Sequence, residues 1–214
     1  MNEIIEKTLQ NIPIVDYATL HNLLTKSGYK HINDKIKYMK RKGTLVSLKK
    51  GLYLYKSPYT QNIFSKEIVA NNLLGPSYIS YDYALYYHGI IPEKVQEVTS
   101  ATTKRAKSFD TALGIFSYKH IDKKLYALGL QISSAKSGNF MIATPLKALC
   151  DKLLVTRGVK IASKKTMLHF LVDDLRVDLD ELVGVDTEIV KEYANISKSN
   201  RIKFLYKVLE ELKG

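Results

Sequence analysis

The apolar spacing of this chain changes from helical to β-type at Gly43, and that change restricts the fold more than any other feature. Before Gly43 the spacing is helical. Asp16 is a candidate N-cap for a helix over residues 17–26, with Ala18, Leu20, Leu23 and Leu24 at helical intervals and Ser27-Gly28 closing it. A second periodic segment covers residues 30–42, with Ile32, Ile36 and Met39 at i, i+4 and i+7. After Gly43, residues 44–48 and 52–55 are β-type runs joined by Lys49-Lys50-Gly51, which reads as a hairpin with a doubly basic loop. Upstream, residues 2–11 form a short helix candidate with Ile4, Ile5 and Leu9 on one face, and Ile12-Pro13-Ile14-Val15 reads as an extended lead-in. Three helices and a hairpin in this order predict a winged helix-turn-helix whose last helix enters the major groove of DNA.

The charge distribution points the same way. The chain has 33 Lys and Arg against 21 Asp and Glu, a net charge of +12, and such a surplus favours a polyanionic partner. Residues 26–56 hold ten basic residues and one acid, Asp34, while residues 166–214 are net −3. With Ile32, Ile36 and Met39 turned to the core, a helical wheel puts Lys30, Asp34, Lys37, Tyr38 and Arg41 on the opposite face, flanked by His31, Lys35 and Lys42. Lys49 and Lys50 stand at the hairpin tip. Phosphate contacts from the lysines provide affinity in this reading, and Asn33, Asp34, Tyr38 and Arg41 are the candidates for reading base edges. Two other readings fit the same residues: a solvated amphipathic helix, and a winged helix that binds protein. Residues 57–165 carry a surplus of their own, net +8, whose target the sequence leaves open.

Beyond residue 60 the pattern is mixed. Residues 64–74 and 145–155 are helix candidates, the second with Thr144 as cap and Pro145 in the favoured first position. Residues 95–103, 113–121, 125–132 and 139–143 are strand candidates, and residues 164–175, 179–183, 187–194 and 199–212 are helical. The expected fold class is α+β: a winged helix-turn-helix over residues 1–60, then a larger α+β domain over residues 61–214 with a small sheet and a helical end. No run is apolar enough to span a membrane, the N-terminus has no long apolar core of a signal peptide, and one cysteine forbids an internal disulfide, so a cytoplasmic protein is expected.

Catalytic patterns are weak. Asp178-Leu179-Asp180 resembles the acid pair of a nucleotidyltransferase, but no Gly-Ser precedes it at the right distance, and it reads as a solvated helix start. Asp110 with Asp122-Lys123-Lys124 has the loose spacing of a metal-dependent nuclease. The histidines His21, His31, His88, His120 and His169 include no i, i+4 pair, and no zinc or other metal site is expected. His88 reads as a helix-end group donating to its own last carbonyls. Cys150, among leucines, reads as a buried inert thiol. No phosphate-binding glycine loop occurs. Tyr83 and Tyr87 share a helical face, read as core packing, with a base-stacking surface or a dimer or domain contact as the alternatives. No cofactor and no catalytic residue is expected.

Several segments together resemble a known family. Tyr78-Ile79-Ser80, Ala84-Leu85-Tyr86-Tyr87-His88-Gly89-Ile90-Ile91-Pro92-Glu93, Val98-Thr99-Ser100-Ala101-Thr102-Thr103, Gly114-Ile115-Phe116-Ser117-Tyr118 and Ala143-Thr144-Pro145-Leu146-Lys147-Ala148-Leu149-Cys150-Asp151 follow in the order seen in AbiEi-type antitoxins of type IV toxin–antitoxin systems, the abortive-infection class. The resemblance covers most of residues 12–155 and fades over the last 50. It implies a transcriptional autorepressor that binds inverted repeats in duplex DNA upstream of its own operon; the oligomeric state is left open, a monomer binding DNA cooperatively being one form. It also implies a nucleotidyltransferase toxin as functional partner, neutralised without a stable direct complex being required. The chain departs from the family pattern at Leu146, a position where the family has an acidic residue, so any role of that acid is not carried over to this chain. A regulator with a ligand- or partner-sensing C-terminal domain and a metal-dependent nuclease are the competing expectations.

Overall fold

The structure, a computed structural model, describes residues 3–58 and 64–213. The N-terminal module runs α1 (Glu3–Asn11), β1 (Ile14–Asp16), α2 (Tyr17–Lys26), α3 (Ile32–Arg41), β2 (Leu45–Lys49) and β3 (Leu52–Tyr55). The Asp16 backbone is extended, and its carboxylate accepts the Thr19 N–H at 2.8 Å, which caps α2 and holds this carboxyl below its ordinary pKa. Gly28 leaves α2 with φ +83°, a conformation that favours glycine. Ile32, Ile36 and Met39 are buried, and with Ile5, Leu9, Val15, Leu20, Leu24, Leu45 and Tyr55 they form one core. Each of the α3 residues contributes roughly 1.5–3 kcal/mol by burial, which fixes the rotation of α3 about its axis. The strand order is β1-β3-β2, all antiparallel, with a bulge between Ser47 and Lys49. Two details differ from the expectation. Ala18 is exposed, because Leu20 and Leu24 already fill the inner face of α2, and α3 begins two residues late, after Tyr29-Lys30-His31. The expected start of α1 at residue 2 lies outside the described residues.

The C-terminal module is built on a six-stranded mixed sheet. Its elements are α4 (Lys66–Leu73), β4 (Ser77–Ile79), α5 (Tyr81–Tyr87), β5 (Val98–Thr102), β6 (Lys107–Thr111), β7 (Gly114–His120), α6 (Lys123–Tyr126), β8 (Leu130–Ala135), β9 (Gly138–Ala143), α7 (Pro145–Val155), α8 (Lys164–His169), α9 (Glu188–Ser197) and α10 (Asn200–Leu212). The strand order is β6-β7-β5-β4-β9-β8, with β5–β7 and β4–β9 parallel and the other pairs antiparallel. The strand expected over residues 125–132 starts instead as helix: the Asp122 carboxylate accepts the Lys124 N–H at 2.8 Å and caps α6, so the strand begins only at Leu130. The helix expected to Leu175 is α8 followed by one π turn, Phe170–Asp174, and residues 180–182 form a single 3-10 turn. The chain is thus α+β, with helices α7 to α10 gathered at the C-terminal end.

The hairpin joins the two modules. Leu45 and Tyr55 belong to the N-terminal core, while Leu48, Leu52 and Leu54 pack into the core of the C-terminal module. The expected division between residues 60 and 61 lies outside the described residues. No helix among the described residues is long and apolar enough to cross a membrane.

His88 ends α5, but not as the sequence suggests. Its Nε2–H donates to the Ala143 carbonyl at the end of β9 (2.8 Å), tying α5 to the sheet rather than capping its own helix. Burial pushes its pKa below the usual 6.5, so the ring is neutral in the fold and gains a proton more easily when unfolded. The unfolded state therefore binds more protons below about pH 6.5, and stability falls as pH drops through that range. The melting temperature is expected to be lower at about pH 5.5 than at about pH 7.5, with a smaller difference in His88→Gln. An unchanged difference in that variant would remove His88 as the cause.

Candidate nucleic-acid interface

The burial of Ile32, Ile36 and Met39 turns the rest of α3 outward. Lys30, His31, Asn33, Asp34, Lys37, Tyr38, Arg41 and Lys42 are all exposed, and Lys35 is half-buried. At the start of α3 lies an open, polar cleft of about 480 Å³ lined by His21, Lys30, His31, Asn33, Asp34 and Lys37. His31 precedes the helix without a side-chain capping bond. The cleft therefore combines free helical N–H groups with basic side chains, an arrangement that favours anions. Asn33 is held by the Tyr17 hydroxyl, which donates to its Oδ1 at 2.9 Å, and the Tyr17 ring packs on His21 with centroids 5.7 Å apart.

Further along α3, Tyr38 is 44% exposed and lies among three cations. Lys35 Nζ, Arg41 Cζ and Lys42 Nζ lie 5.3, 5.8 and 5.9 Å from its ring centroid, and Lys35 also sits 4.8 Å from the Tyr29 ring. These contacts orient the basic side chains along the exposed face without neutralising them. The acid on the face is Asp34, 3.7 Å from Lys37 with both side chains more than 70% exposed. Such a pair is weak in water and leaves Lys37 available to another anion.

The structure separates the two hairpin lysines. Lys50 is exposed at the tip. Lys49 is turned away: its Nζ donates to the Leu73 carbonyl at the end of α4 (2.5 Å) and lies 5.9 Å from the Phe109 ring on β6. Burial and the nearby Lys107 and Lys104 lower its pKa. The bulge after Ser47 changes the register ahead of the tip, and the partner carbonyl lies 24 residues away. Lys49 is therefore a contact between modules and not part of the free tip. Tyr17 and His21 are additions to the site. Their signal in the sequence was their place in the first two turns of α2, the helix that packs across α3.

A second polar centre lies deep in the C-terminal module. Lys147 and Asp151, one turn apart on α7, are both buried, with Nζ 3.9 Å from Oδ1. Asp151 Oδ2 accepts from the Tyr78 hydroxyl (2.9 Å) and Ser80 Oγ (2.7 Å), and its Oδ1 accepts from the Tyr193 hydroxyl. Lys147 Nζ donates to the Leu125 carbonyl (2.8 Å) and to the Tyr193 hydroxyl (3.2 Å). Desolvation pushes the Asp151 pKa up and the Lys147 pKa down, each opposed by the other's charge. Asp151 also borders a cavity of about 290 Å³ shared with Tyr81, Leu125, Leu154, Ile196 and Ser197. Tyr81 is fully buried with φ +58°, costly for a bulky residue, and its hydroxyl meets no hydrogen-bond partner among the described residues.

The remaining candidates have plain structural places. Cys150 is buried, and desolvation raises its pKa, as an inert thiol requires. Asp178 and Asp180 are exposed around the 3-10 turn. Asp110 lies on β6 and Asp122 caps α6, and among the described residues no group of three His, Cys, Asp or Glu is gathered as a metal site. Tyr83 is buried on Glu67, whereas Tyr87 is exposed and packs edge-on to Phe140, so the two do not share one environment.

No protein-family model matches the chain, and no curated protein matches it in sequence. Among solved structures it is similar to the crystal structure of the RV2827C protein from Mycobacterium tuberculosis, with a TM-score of 0.60 at 16% sequence identity, covering 96% of this chain and 75% of that one. At that identity the likeness is one of fold.

Proposed function

We propose that the chain is a duplex-DNA-binding transcriptional regulator that acts by binding and not by catalysis. The observation that carries this is the exposed face of α3, where basic side chains surround a polar cleft at the helix N-terminus while the opposite stripe is locked in the core. Lys30, His31, Lys35, Lys37, Lys42 and Lys50 provide phosphate contacts, and Asn33, Asp34, Tyr38 and Arg41 face the bases. The resemblance to AbiEi-type antitoxins extends the reading to a cytoplasmic autorepressor that counteracts a nucleotidyltransferase toxin. One feature supports treating the resembling segments as a unit: Tyr78 and Ser80 from one of them and Lys147 and Asp151 from another meet in one buried network. A nucleotidyltransferase-type gene is expected beside its own, and co-expressing the chain with that gene is expected to restore growth. Persistent arrest would sink the antitoxin part and leave the DNA-binding part standing. A second reading, a regulator whose C-terminal module senses a small ligand, has the Tyr81 cavity behind it.

A further inference from the structure

The hairpin tip does not end the basic surface. Beside strand β2 of the hairpin, reached by Lys49, lie the edge strand β6 and the loop that leads into it, residues 103–106, which belong to the other module. Lys104, Arg105 and Lys107 are exposed there, and among the described residues none of them pairs with a carboxylate. The loop is fixed on two sides. Lys104 Nζ donates to the Gly75 carbonyl, and the Lys104 carbonyl lies 3.1 Å from His120 Nδ1. Lys49, reaching across from the hairpin, and Lys107 both set their ammonium groups over the Phe109 ring, at 5.9 and 4.9 Å.

We propose that this ridge, Lys104, Arg105 and Lys107, is a second DNA-contacting surface that holds the phosphodiester backbone of a duplex beyond the stretch engaged by α3. The inference rests on the DNA-binding reading and adds to it that the C-terminal module shares the duplex. Three observations carry it. The ridge continues the hairpin, because Lys49 ties β2 to the end of α4 and to β6. Its charge is of one sign, the acid on the strand being Asp110, three residues beyond Lys107. Like charges are brought together in the free protein, since Lys49 and Lys107 both lie over the Phe109 ring, and a polyanion relieves their repulsion. Lysine on an edge strand also guards against pairing with another chain, but that role asks only for Lys107 and does not bring Lys49 and Lys104 to it.

The test uses the full chain and two duplexes from the region upstream of its own gene, one of about 40 base pairs and one trimmed to about 15. Fluorescence anisotropy follows binding across salt concentrations. In Lys104→Ser/Arg105→Ser/Lys107→Ser, the slope of log affinity against log salt on the long duplex is expected to flatten by about two to three, with roughly 10- to 100-fold weaker binding, and the short duplex is expected to be nearly unaffected. An unchanged slope on the long duplex, with binding still lost in Lys37→Ala/Arg41→Ala, would overturn the ridge and leave the α3 interface intact. No duplex binding by the unaltered chain at low salt would overturn both. Kept duplex affinity with lost single-stranded RNA binding would also overturn the assignment and give this surface to RNA. Matching circular dichroism spectra exclude misfolding of the variants.

Discussion

Replacing Lys37 and Arg41 together by alanine is expected to weaken duplex DNA binding by roughly 30- to 300-fold at physiological salt, the effect of losing one phosphate contact and one base-edge contact. Both side chains point away from the core, and α3 is held by Ile32, Ile36 and Met39, so the fold is expected to survive the change. The effect must be separated from the loss of two positive charges as such. Lys203→Ala/Lys207→Ala removes the same charge from the exposed side of α10, in the acidic end of the chain, and is expected to change affinity by less than about 3-fold, because screening over about 8–10 Å suppresses distant charges. Equal losses from the two pairs would mean that net charge, and not the α3 face, governs binding. Between the two α3 residues, Arg41 is expected to affect sequence preference and Lys37 only affinity. Arg41 presents a rigid planar fork suited to a guanine edge, whereas Lys37 is a point charge beside the polar cleft.

Local signals specified much of this fold. Asp16 and Ser27-Gly28 bounded α2, Pro145 after Thr144 marked the start of α7, and the i, i+4, i+7 stripe of α3 set which of its side chains face solvent. What was missed depended on partners far along the chain. Lys49 and Lys50 are equivalent in sequence, and they part only because a bulge and the Leu73 carbonyl take one of them. Strand β6, Lys-Ser-Phe-Asp-Thr, has one large apolar residue and lies at a sheet edge, so it lacks the alternation that marks a half-buried strand. Residues 125–132 had strand-like composition, yet the Asp122 cap wins the first turn for helix. The Lys147–Asp151 pair did leave a trace, two charges at i, i+4 on a helix whose neighbours Leu146, Leu149 and Leu153 are all buried. The apolar face of α7 gives no sign of it, and its hydroxyl donors, Tyr78, Ser80 and Tyr193, come from segments that no local pattern joins.

That pair carries the largest expected stability effect. Asp151→Ala removes the carboxylate that receives three hydroxyls and faces Lys147, and it leaves the Lys147 ammonium buried on the Leu125 carbonyl, the Tyr193 hydroxyl and the Tyr78 and Tyr193 rings, with no opposite charge beside it. Breaking a buried pair in this way costs about 3–5 kcal/mol, because the remaining charge keeps its desolvation penalty and loses its compensation. The site ties β4 through Tyr78, α6 through Leu125 and α9 through Tyr193 to α7, so the loss is expected to loosen the helical end against the sheet. Lys147→Met/Asp151→Leu removes both charges and keeps most of the volume. It is expected to be more stable than Asp151→Ala, with a coupling energy of about 1–3 kcal/mol in the double-mutant cycle completed by Lys147→Met and Asp151→Leu. Urea unfolding followed by circular dichroism measures each variant. A loss below about 1 kcal/mol in Asp151→Ala would mean that water or a shifted proton already satisfies the site, and that the network is dispensable for stability. A large loss that the double replacement fails to recover would place the contribution in the hydroxyl bonds of Tyr78, Ser80 and Tyr193 rather than in the ion pair.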